Sequence, residues 1–116
     1  MNKIIILGRL VKDPELKTTL DGEKTYTRFV MAVERNFKSK DGTIKADFIP
    51  IIVWGKKAEI ICKYLTKGSL LSVSGRLSAY GYEDANGTRK YVAEVVADDF
   101  KFINIGNKNH STEEAL

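Results

Sequence analysis

The sequence predicts an all-β domain, a five-stranded Greek-key barrel with one helix between its third and fourth strands. Three observations carry that expectation. Runs of alternating or β-branched apolar residues recur along the chain. Dipeptides that favour tight turns, Asp21-Gly22, Asp41-Gly42 and Asn86-Gly87, punctuate those runs. A single segment, Gly55 to Lys67, changes from a period of two to the helical period.

The first strand is Ile4-Ile5-Ile6-Leu7-Gly8-Arg9-Leu10, whose glycine suits a sharp bend. A polar connection bracketed by Asp13-Pro14 and Asp21-Gly22 leads to a second strand, Thr25 to Asn36. There Phe29, Met31 and Val33 share one face and Tyr26, Arg28 and Glu34 the other. A long hairpin with Asp41-Gly42 at its tip returns as a third strand, Ala46 to Trp54, with Phe48 and Trp54 emerging on one side. Pro50 cannot donate a ladder bond and implies an edge or a bulge. Ala58, Ile61, Cys62 and Leu65 then form the apolar stripe of a helix, with Gly68 placed just past its end. Ser69 to Tyr80 is a fourth strand, and Arg89 to about residue 105 a fifth. Residues 106–116 are a polar, aperiodic tail, expected to be flexible. Five strands with a helix in this position follow the order of an OB-fold.

A chain of 116 residues supports one domain, here residues 1–105. Its net charge of +4 is unevenly spread. The first 97 residues hold 17 Lys and Arg against 11 Asp and Glu, and the remainder hold 2 against 4. A basic domain favours polyanions. No secretory signal and no run of about 20 apolar residues is present, which points to a cytoplasmic protein rather than a membrane one. Cys62 is the only cysteine, so an intrachain disulfide is impossible and a reducing compartment fits. The single histidine, His110, can build neither a His-ligated metal site nor a His-based triad; no cofactor, metal or catalytic residue is expected. The adjacent pairs Asp98-Asp99 and Glu83-Asp84 read as solvated strand ends and loops, since a two-metal nuclease needs carboxylates converging from separate elements.

The aromatics point to a partner. Phe37, Phe48, Trp54, Tyr80 and Tyr82 fall among Arg35, Lys38, Lys56, Lys57 and Arg76, on half-buried strands. A core has no use for lysines beside its aromatics, whereas a single-stranded nucleic acid offers bases to stack and phosphates to neutralise. Lys56 and Lys57 also oppose the dipole of the helix they begin, by roughly 0.3 to 1 kcal/mol each at the surface, and an anionic partner supplies a reason for them.

Three stretches resemble the bacterial single-stranded DNA-binding protein (SSB) family: Asn2 to Leu10 followed by Asp13-Pro14-Glu15; Trp54-Gly55-Lys56-Lys57-Ala58-Glu59; and Tyr64-Leu65-Thr66-Lys67-Gly68-Ser69 with Gly75-Arg76-Leu77 beyond. The resemblance implies an OB barrel, a homotetramer and sequence-independent binding of single-stranded DNA in replication, repair, recombination or DNA uptake. It carries base stacking onto Phe37, Phe48 and Trp54, and onto Tyr82 in the fourth loop. It carries backbone contacts onto Lys3, Lys56, Lys67 and Lys90, and more weakly onto Lys40. Tyr80 stands where the family is often basic, and either stacks or serves a rim or interface. The family's acidic tip closing with Pro-Phe, through which replication and repair proteins would be recruited, has no counterpart in Ser111-Thr112-Glu113-Glu114-Ala115-Leu116.

A second reading is an OB-fold replication adaptor whose aromatics contact protein, because interfaces are enriched in the same residues. Such an adaptor would bind oligonucleotides weakly whatever their length.

Overall fold

A computed structural model describes residues 1–104, so the tail and His110 lie outside the described residues. In chain order the elements are β1 (Ile4–Leu10), β2 (Lys17–Thr18), β3 (Thr25–Lys38), β4 (Ile44–Trp54), α1 (Lys56–Tyr64), β5 (Leu70–Glu83) and β6 (Arg89–Asn104). The sheet runs β1-β5-β6-β4-β3-β2, and β1 also pairs with β3. That last pairing closes five strands into a barrel, with β2 appended outside it. The two residues of β2 are the one strand the sequence reading lacks, and two residues are too few to show a period.

Gly8 marks where closure happens. From Ile4 to Arg9 the first strand pairs with β5, and at Arg9 and Leu10 it gains β3. A Cβ on Gly8 would lie 2.5 Å from the Ala32 carbonyl oxygen, so only glycine lets the two backbones converge. Inside the barrel, Phe29 and Met31 of β3, Ile51 and Val53 of β4, and Leu71 and Val73 of β5 interlock. Ala58, Ile61 and Leu65 close one end, which explains the helical stripe: α1 is the plug that an open barrel end requires.

The helix is shorter than its periodicity suggests. It ends at Tyr64 with Leu65 extended and donating to the Ile61 carbonyl. Gly68 is therefore not the helix's terminating residue; it lies in a separate turn in which Ser69 N–H donates to the Thr66 carbonyl. That turn is fixed from outside, because Asp13 accepts from both the Thr66 hydroxyl and the Lys67 amide.

The hairpins are longer than their apolar patterns. The β3–β4 ladder continues to Lys38 and Ile44, and β5 runs on to Glu83, because backbone pairing needs no buried side chain. Pro50 sits opposite Val30 in an unbroken register, and β4 meets β6 only at Ile51 and Ile52, so it occupies the edge its missing N–H requires. The pair Asp98-Asp99 lies within β6 rather than at a strand end. Asp99 faces Ser74 and Ala97 faces Gly75, which leaves Asp98 as the extra residue of a bulge.

Candidate nucleic-acid interface

The outward face of β3 and β4 is set by register. Alternation turns Phe29, Met31, Ile51 and Val53 inward and leaves Tyr26, Arg28, Ala32, Phe48 and Trp54 outward. Phe48 stands opposite the small Ala32 and is 67% exposed, so its ring lies open to solvent. Trp54 stands opposite Tyr26, with ring centroids 5.1 Å apart and planes at 42°. Arg28 places its guanidinium 5.6 Å from the Tyr26 ring centre and pairs with Glu94 of β6 at 3.3 Å. This aromatic and ionic chain joins β3, β4 and β6 across their shared outer surface.

Gly55, with φ near +70°, turns the chain directly after Trp54 and starts α1. Lys56, exposed at the first helical position, is thereby next to the tryptophan in sequence and free of any ion pair among the described residues. Its neighbour is not free. The Lys57 ammonium donates to the Asp98 carbonyl and lies 3.8 Å from the Asp99 carboxylate. The structure thus ties Lys57 to β6 instead of bringing it among the aromatics.

Arg35 is likewise engaged, with Nε and Nη2 both donating to Asp47, at 3.2 and 2.9 Å. The carboxylate raises the guanidinium's already high pKa, first by hydrogen bonding and then by charge. Phe37, 66% exposed, lines a shallow depression with Arg35 and Asp47, and Phe48 is not part of it. An irregularity in register between Glu34 and Lys38 separates the two phenylalanines. Lys40 rides in the turn at the tip of the hairpin. There Asp41 accepts from the Ser39 and Thr43 hydroxyls and the Thr43 amide, which holds its carboxyl near 2. Gly42 and Gly87 occupy matching positive-φ positions in the two long hairpins, as the Asp-Gly and Asn-Gly signals predicted.

Tyr82 is not in a loop. Together with Tyr80 it belongs to β5, opposite Lys90 and Val92 respectively, and both rings are exposed. Arg76 lies on the same strand opposite Val96. Asn2 makes two 2.8 Å hydrogen bonds with the Leu77 backbone, which extends the β1–β5 register and puts Lys3 at the position opposite Arg76. Lys67 sits in the turn held by Asp13. The structure thus groups Phe48 with Trp54 on one face, Tyr80, Tyr82, Lys90 and Arg76 along the β5–β6 ribbon, and Phe37 with Arg35 on the β3–β4 hairpin. Among the described residues no group of three or more His, Cys, Asp and Glu converges as a metal site would.

Sequence reasoning passed over Tyr26, Arg28 and Tyr91. Alternation had turned Tyr26 and Arg28 outward, but only pairing across the ladder shows that Tyr26 meets Trp54. Tyr91, 79% exposed beside Arg89, emerges opposite Gly81, a position that alternation puts on the other face of the ribbon from Tyr80 and Tyr82.

Residues 1–103 match a profile described as the single-strand binding protein family. Over its whole length the chain is 53% identical to a single-stranded DNA-binding protein of Clostridium tetani, covering 79% of that protein. It is 47% identical over 97% of its length to single-stranded DNA-binding protein 3 of Clostridium acetobutylicum, covering 77% of it. A single-stranded DNA-binding protein of Staphylococcus aureus is 46% identical over 98% of the chain, which spans 72% of that relative.

Proposed function

Because the chain belongs to the single-strand binding protein family, we propose that it coats and protects single-stranded DNA without reading its sequence. The observation that carries this reading is the outward aromatic face of β3 and β4, where Phe48 and Trp54 stand exposed beside uncommitted lysine. Bases of any identity have a π-face to stack, and phosphates supply the counter-charge. Sequestration needs no bond made or broken, so the protein acts as a binder rather than an enzyme. It serves replication, repair, recombination or DNA uptake in the cytoplasm, as its family membership supports. No helix among the described residues is long and apolar enough to cross a membrane.

Six cations of the proposed interface, Lys3, Lys40, Lys56, Lys67, Arg76 and Lys90, have no ion pair among the described residues and are the ones available to phosphate. If all six engage, log K should fall against log salt with a slope of about −4 per protomer, from about −0.7 per phosphate on a single strand. Titrating the fluorescence of Trp54, the only tryptophan, with poly(dT) at several salt concentrations checks both parts. Quenching by poly(dT), weakened by salt and nearly absent with duplex DNA, is the expected result. A flat salt response contradicts the reading.

The protein assembles on itself through β1, and a homotetramer is the state proposed. From Ile4 to Gly8 this strand pairs with β5 on one side only. Ile5 and Leu7 are 70% and 50% exposed on it. An apolar strand edge of this kind invites pairing with the same edge of a second copy about a two-fold axis.

A further inference from the structure

We propose that Tyr26 and Trp54 together seat one base of the bound strand, at the end of the interface walled by the β2–β3 hairpin; this rests on the single-strand binding reading. Both rings line a depression of about 480 Å³ whose other walls are Thr18, Thr19, Leu20, Asp21 and Arg28. At 5.1 Å and 42° the rings form an open wedge, so a base lying on one meets the edge of the other. The wedge is held from behind. Arg28 sits over the Tyr26 ring and is anchored by a carboxylate, Glu94, that is itself largely buried. It is held from the side as well, because Lys17 and Thr18 pair with Tyr26 and Thr25, and the hairpin turn is closed by Thr19 and Asp21 hydrogen-bonded at 2.5 Å.

The charge of the walls selects which part of a nucleotide enters. Asp21 presents an anion to the depression and Arg28 is already neutralised by Glu94, so a phosphate gains nothing there, whereas an uncharged aromatic base does. The seat is continuous with the exposed indole of Trp54, so its occupant belongs to the same strand that stacks there. Tyr26 is thus a contact residue for DNA, and Arg28 a positioning residue that acts through the Tyr26 ring.

The experiment compares the wild-type chain with Tyr26→Ala and Tyr26→Phe for binding of oligo(dT), and photo-crosslinks the wild-type chain to oligo(dT) carrying 5-iodouracil. Tyr26→Ala should weaken binding by about 5- to 150-fold, the range expected for one lost base–aromatic stack. Its salt slope should stay unchanged, since no phosphate contact is removed. Tyr26→Phe keeps the ring and should bind within about twofold of the wild type. Peptide mapping should find crosslinks at Tyr26 as well as Trp54. Binding by Tyr26→Ala within twofold of the wild type, or crosslinks at Trp54 with none at Tyr26, overturns the proposal. If Tyr26→Ala does not fold, the wild-type crosslink map decides alone. Failure of the wild-type chain to bind oligo(dT) at all is a different result, which removes the DNA-binding reading and the base seat together.

Discussion

Thr27 is fully buried on the inward face of β3, opposite Val53, and its hydroxyl has no hydrogen-bond partner among the described residues. An orphaned buried hydroxyl costs about 1 to 3 kcal/mol, whereas valine has the same shape and no such cost. Thr27→Val should therefore raise stability by about 1 kcal/mol in urea unfolding and leave DNA binding unchanged, since Thr27 faces away from Trp54. A loss of stability would reveal a partner for the hydroxyl. At this scale alternation was enough to put Phe48 and Trp54 on one face. It was not enough to find the Tyr26–Trp54 pair, because strand register is a property of two segments and neither contains it alone.

The β5–β6 ladder depends on one close approach. A Cβ on Gly75 would lie 2.1 Å from the Val96 carbonyl oxygen, beside the bulge at Asp98. Because that neighbour is backbone and cannot swing aside, Gly75→Ala should cost about 1 to 3 kcal/mol, as overpacking generally does, and lower the thermal midpoint. An unchanged midpoint would mean that the bulge can slide. Every strand but the two-residue β2 was legible, as were the turns at Gly42 and Gly87. Element ends were not. The helix stops at Tyr64, before the expected Gly68 position, because Asp13 from a distant segment claims the Thr66–Lys67 turn. Tyr82 reads as loop by sequence but is strand, because cross-strand pairing with Lys90 extends β5 beyond its apolar residues.

For the molecule as a whole, the exposed β1 edge and the basic surface make separate demands. Ile5→Asp puts a charge on each copy where two edges would meet, and like charges across a two-fold axis repel. Sedimentation should show the wild-type chain as a homotetramer and Ile5→Asp as a smaller species. An unchanged mass would show that β1 is not the contact. Composition alone disclosed the basic balance, but which cations are free was decided by folding: Arg35 is taken by Asp47, 12 residues away, and Lys57 by Asp98 and Asp99, more than 40 residues away.

The sequence by itself determined the element types apart from the two-residue β2, the two faces of the long strands now β3 and β4 and the aromatic–cationic character of the surface, because these follow from local periodicity and residue chemistry. Tertiary structure alone decided that β1 bridges β5 and β3, that Tyr26 reaches Trp54, and which lysines and arginines remain unpaired. Those outcomes depend on which segments strand pairing and barrel closure bring within bonding distance, and no single element contains both partners.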